Sequence, residues 1–251
     1  MALGYAACMD DVAILRVQGG KANAMDAALL DMIERLVDEF AAGPARAAVL
    51  TGYERFFSAG LALPSLMDLD RATMRRFIGR FTDVMVRVFS CPKPIVAAIN
   101  GHAIAGGCVL ALQCDWRVLV RDDVKIGLNE TQLGIGLPSA VLEPLRLQLP
   151  PGSLVPIAYE GKLFTPAEAL ELGLVDELAP ARDLEPRALV RARALAAVPS
   201  AAVAQVKLGL RRATIETMRR YGDEEAERWL DTWFSPPAQA RLAQAVAQLR
   251  R

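Results

Sequence analysis

The chain has 251 residues, 53% of them hydrophobic, and its 29 Lys+Arg balance 29 Asp+Glu. That length can bury a sizeable core in one large domain or two small ones, and a zero formal net charge gives no long-range pull on nucleic acid or an anionic membrane. A single histidine, His102, and four cysteines (Cys8, Cys91, Cys108, Cys114) without CxxC spacing argue against a His/Cys metal site and against a disulfide framework.

Residues 1–10 lack a basic region followed by an apolar one, so no secretory signal is expected and the compartment is read as reducing, hence cytoplasmic or an organelle matrix. Residues 12–17 (VAILRV) predict a strand ending at Gly19–Gly20, and 21–25 (KANAM) a loop. Asp26 caps a helix whose Leu29, Leu30, Ile33, Leu36 and Val37 share one face. A strand at 47–50 leads into a loop at 51–63, and a long helix over 70–89 ends before Pro92 and Pro94. A strand at 95–99, a turn at 100–107 and a helix from Cys108 follow, then short strands at 116–120 and 124–126. The stretch 94–114 is nearly uncharged and about as long as a bilayer span. Its Asn100–Gly101 turn signal and the Gly106–Gly107 pair fit a strand, a turn and a buried helix instead.

Thr165-Pro166-Ala167-Glu168 is a capping box with proline at the first helical position, and that helix ends at Gly173 before a strand at 174–178. From Leu184 the chain is Ala-, Arg- and Leu-rich with helical periodicity. The alternation in the first part points to an α/β fold with parallel pairing, and the last part to helices alone.

Three segments could carry chemistry. In IVAAINGHAIAGGCVLAL (95–112) a helix begins at glycines, so free N–H groups and a positive dipole end could meet an anion or oxyanion; close helix–strand packing explains the same glycines. FSAGLAL (57–63) could present backbone N–H groups in the same way, or be an ordinary turn. Glu130, within the apolar IGLNETQLGI (126–135), is either a surface residue or a carboxylate whose pKa desolvation would raise toward that of a general base.

FSAGL (57–61), INGHAIAGGC (99–108), CDWRVL (114–119), IGLNETQLGI (126–135) and FTPAEALELGLVDEL (164–178) together resemble the crotonase (enoyl-CoA hydratase/isomerase) superfamily. The ordered set spans nearly the whole chain. The resemblance implies a crotonase-like spiral of ββα units holding the CoA site (residues 1–185), then a helical trimerisation region (186–251), in a homotrimer or dimer of trimers. It implies an oxyanion hole from the N–H groups of Leu61 and Gly106. It also implies a CoA site along Lys21, Ala22 and Ala24 and along Ala59, Gly60, Ala62 and Leu63. The substrate would be an acyl-CoA thioester, with no metal, flavin or nicotinamide.

Hydratases of this family carry two glutamates. The position of the first is Val109 here, and Glu130 matches the second. The local string is most similar to mitochondrial-type Δ3,Δ2-enoyl-CoA isomerases. That similarity implies that Glu130 moves a proton from C2 to C4 of a 3-enoyl-CoA, with Asn129 lining the acyl pocket. Ala62 departs from the family, standing where many members carry Asp, and 138–149 lacks the bulk expected over an acyl chain. His102 is read as polar lining. Another enolate reaction (decarboxylation or thioester hydrolysis), hydration, and non-catalytic acyl-CoA binding remain the alternatives.

Overall fold

The computed structural model describes residues 5–9 and 11–249, with side chains from 11 to 249. Part of the N-terminal stretch read for a signal, the Cys8 side chain and the last two residues lie outside the described ones. Strands β1 (Tyr5–Met9) and β2 (Val12–Arg16) form an antiparallel hairpin. A single 3-10 turn, Lys21–Asn23, leads to α1 (Ala27–Ala42). Next come β3 (Ala47–Thr51), β4 (Phe56–Ser58), the short α2 (Leu63–Leu66) and α3 (Arg71–Phe89). Then β5 (Ile95–Ile99), β6 (His102–Ile104) and α4 (Gly106–Leu112) repeat the pattern, as do β7 (Trp116–Val120), β8 (Ile126–Gly127) and α5 (Ser139–Gln148). The chain finishes with β9 (Leu163–Phe164), α6 (Pro166–Glu171), β10 (Glu177–Ala179), α7 (Ala181–Ala196), α8 (Ser200–Trp233) and α9 (Pro236–Leu249).

Two sheets result. The larger runs β1-β2-β3-β5-β7-β10 and is parallel from β2 onward; the smaller runs β4-β6-β8-β9. In each of the pairs β3/β4, β5/β6 and β7/β8 the first strand joins the large sheet and the second the small one, before a helix closes the unit. Repetition of that unit winds the chain into a spiral. β3 and β5 are buried at every position, as a parallel sheet covered on both faces requires. α1 lays Leu29, Leu30, Ile33, Leu36 and Val37 into the core, each worth about 1.5–3 kcal/mol on burial. Its start is fixed by Asp26 Oδ1, which accepts the Leu29 N–H at 2.9 Å.

The structure adds to the sequence reading in four places. The first hairpin strand precedes the first strand expected. The loop expected at 51–63 contains β4 and ends where the short α2 begins, and the turn expected at 100–107 contains β6. The strands expected at 124–126 and 174–178 sit at Ile126–Gly127 and Glu177–Ala179. All are elements of five residues or fewer, too short for local periodicity to carry much trace of them. Residue 185, where the sequence places the change to helices, lies inside α7, which packs on β3, β5 and β7.

A half-buried carboxylate and two buried cations fasten α8 to the sheet. Asp115 Oδ2 accepts from Lys207 Nζ at 2.7 Å, and its Oδ1 lies 3.0 Å from Arg211 Nη2. Arg211 also donates to the carbonyls of Phe89 and Gln113 and stacks on the Phe89 ring at 4.1 Å. α8 packs against α3 and α5, and α9 folds back against α2 and the 131–133 turn.

Candidate active site

A cavity of about 350 Å³ lies where the ends of the small-sheet strands meet α3, α5, α8 and α9. It is lined by Leu61, Gly106 and Glu130 together, three residues separated by up to 69 positions (130 − 61) in sequence.

The Leu61 segment is zipped to the 21–25 loop. Met25 N–H donates to the Gly60 carbonyl at 2.7 Å, Ala62 N–H to Met25 at 3.0 Å, and Ala59 N–H to Ala22 at 3.0 Å. Asn23 underlies both strands of this zipper. Its buried side chain donates to the carbonyls of Val17 and Phe57 and accepts the Gly19 N–H. Ser58 Oγ in turn donates to the Asn23 carbonyl at 2.7 Å. Neither Asn23 nor Ser58 was singled out from sequence, although Asn in a loop is a residue that tolerates the left-handed conformation found here (φ 50°). Of the residues expected to hold CoA, Ala59 and Leu63 line the cavity. Lys21, Ala22, Ala24, Gly60 and Ala62 belong to the zippered loops beside it.

Gly106 opens α4 against this segment. A Cβ built on Gly60 would come within 3.2 Å of the Gly106 nitrogen, so the two backbones touch. Ala105 precedes it at φ 50°, ψ −120°, a region normally left to glycine and costing about 1–3 kcal/mol for other residues. Among the described residues, the N–H groups of Leu61 and Gly106 have no protein acceptor. Two adjacent unpaired donors border the same cavity, one of them at a helix N-terminus.

Glu130 borders the same cavity from the turn after β8. That turn is closed by the N–H groups of Leu133 and Ile135, which both donate to the Glu130 carbonyl. The residue as a whole is half-buried, but Oε2 is out of reach of solvent and has no hydrogen-bond partner, as is Asn129 Oδ1 next to it. Loss of water pushes the Glu130 carboxyl up to about 7, from an ordinary 4.5. Among the described residues it is the one ionisable side chain lining the cavity. Val109, one turn into α4, is buried and lines the cavity, leaving its wall apolar at that position.

His102 lies outside this wall. Its Nδ1 accepts the Lys125 N–H at 3.0 Å, its ring packs on Phe56, and burial lowers its pKa. The residues that sequence reasoning missed are Phe81, Trp229 and Trp233, which line the cavity from α3 and α8. The spacing of the two tryptophans at i and i+4 marks one helix face, which only the packing assigns to the cavity.

Strand pairs divided between two sheets, with the cavity at the start of the second unit's helix, define a crotonase-type fold. A family model described as enoyl-CoA hydratase/isomerase matches residues 10–235. The chain is 31% identical over 196 residues to human "Enoyl-CoA delta isomerase 1, mitochondrial", covering 77% of this chain and 65% of that protein. The match therefore spans just under two thirds of that relative's length. A probable enoyl-CoA hydratase from Bacillus subtilis is 34% identical over 189 residues, 74% of this chain and 71% of its own. The crystal structure of human mitochondrial delta3-delta2-enoyl-CoA isomerase superposes with a TM-score of 0.92 at 27% identity, covering 99% of this chain and 98% of that one. The chain belongs to the enoyl-CoA hydratase/isomerase family.

Proposed function

We propose that the protein is an acyl-CoA isomerase that shifts the double bond of a 3-enoyl-CoA to give the trans-2-enoyl-CoA. The observation that carries this reading is the solitary carboxylate of Glu130 in a cavity whose other wall, at Val109, is apolar. Moving a proton between two carbons needs one group that is first base and then acid. Adding water needs groups to hold the water as well.

In this mechanism Glu130 takes a proton from C2, and the C–H electron pair delocalises over C2, C4 and the thioester oxygen as a dienolate; the C2–C3 double bond forms, and the carbonyl is restored, only when the C3–C4 pair takes up a proton at C4. The dienolate oxygen accepts from the Leu61 and Gly106 N–H groups, each donor being worth about 3 kcal/mol in the transition state. Glu130 then returns the proton to C4. A pKa of about 7 suits both halves, since the two protonation states are near in energy at neutral pH. CoA would lie along Lys21, Ala22, Ala24, Ala59, Gly60, Ala62 and Leu63, with Asn129 beside the acyl chain. A homotrimer, or a dimer of trimers, is the assembly we propose.

The test is an absorbance assay of Glu130→Gln with a 3-enoyl-CoA and with a trans-2-enoyl-CoA. Turnover of the 3-enoyl substrate is expected to fall by more than about 10³-fold, while CoA ligands still bind. Full activity in that variant would remove Glu130 from the mechanism. Fast hydration of the trans-2-enoyl substrate by the unaltered protein would reassign the reaction to a hydratase.

A further inference from the structure

We propose that Trp229 and Trp233 are specificity-determining residues, forming an end wall that limits the length of acyl chain the cavity accepts. This rests on reading the cavity as an acyl-thioester site. The two indoles sit one helical turn apart on α8 and stack with ring centroids 5.1 Å apart and planes 24° from parallel. Both are buried, at 4% and 0% exposure, as are Ile78 and Phe81 of α3 and Val141 of α5 around them. None of these side chains is polar enough to orient a headgroup, so this end suits hydrocarbon. The cavity lining includes exposed residues at Gln248 and Leu249, which end α9, and Leu249 is 57% exposed.

The wall is also held in register with the reacting end. Thr232, between the two tryptophans, accepts the Gly136 N–H at 2.9 Å, and Gly136 lies six positions after Glu130. Gly134 in the same turn, at φ 81°, lies directly against Ala238 of α9. The spacing between the carboxylate and the indoles is therefore fixed by direct contacts and not by a flexible loop. A stacked aromatic pair has few rotamers with which to make room, unlike methionine or leucine. A chain that reaches the wall has to stop or turn back toward α9.

The experiment is calorimetric titration of the full chain with saturated acyl-CoAs from butanoyl to hexadecanoyl, which the enzyme cannot isomerise. Affinity is expected to rise about fourfold for each added methylene and then to break off at the wall. Trp229→Leu should move the break to chains longer by about two carbons. Val141→Phe, which fills the same end from the opposite helix, should move it to shorter chains and decides the matter if Trp229→Leu does not fold. A break that stays in place in the folded variants, or no break at all, would overturn the wall. Loss of the isomerase reading alone would leave these titrations intact, whereas failure of every acyl-CoA to bind would end both.

Discussion

Glu130 illustrates how one residue's environment couples activity to stability. Its folded-state pKa of about 7 lies above the ordinary 4.5, so between those values the folded protein holds a proton that the unfolded chain has released. Stability therefore falls as pH rises across that window, and the full cost, of order 3 kcal/mol, is present above about pH 7. Glu130→Gln is expected to gain up to that amount at pH 8 and to lose the gain below about pH 4, measured by urea unfolding at a series of pH values. An unchanged difference across pH would mean that the carboxyl is not desolvated. For catalysis the sign is opposite: the proposed mechanism starts from the carboxylate, so kcat/KM should rise with pH through about 7. From sequence, a glutamate in an apolar string left a surface position open. The cavity it borders is also lined by α3, α5 and α8, which no local pattern connects to residue 130.

At the scale of elements, α4 is placed by backbone contact where other helices are placed by side-chain burial. A Cβ on Gly107 would lie 2.1 Å from the Ser58 carbonyl oxygen, and Ser58 in turn holds Asn23 and the Gly60 N–H. Gly107→Ala is thus expected to cost about 3 kcal/mol and to lower activity as the Leu61 and Gly106 segments separate. Gly79, inside α3 with nothing within 4 Å of a built Cβ, supplies the contrast: Gly79→Ala should stabilise by about 0.5–1 kcal/mol. Thermal melts of the two variants side by side check both signs. The helix ends were readable from sequence because caps are local: Asp26, Asp70 and the Thr165–Glu168 box all act as their types suggest. The strands β4 and β6 were not, since three residues are too few for a period and the two strands pair across 46 positions (102 − 56).

For the whole molecule, the link between the sheet core and the helices over the cavity depends on one carboxylate among two buried cations. Removing a partner from such a cluster leaves uncompensated charge, which typically costs about 3–5 kcal/mol. Asp115→Asn is expected to lose stability on that scale, read by denaturant midpoint, because Lys207 and Arg211 would stay buried without their counter-ion. Asp115→Asn together with Lys207→Met and Arg211→Met should recover part of it, and a double loss with no recovery would show that α8 is held by apolar packing instead. The sequence contained these residues without any sign that they meet, as Asp115 and Lys207 are 92 positions apart.

By itself the sequence determined the alternation of strand and helix, the helix starts, the family, and the three segments around Leu61, Gly106 and Glu130, because each depends on neighbours along the chain or on an ordered set of motifs. Only the tertiary structure decided that the donors at Leu61 and Gly106 adjoin one another, that Glu130 is stripped of water, and that Trp229 and Trp233 face the same cavity. Desolvation and close approach are properties of packing, and packing joins residues that the chain keeps far apart.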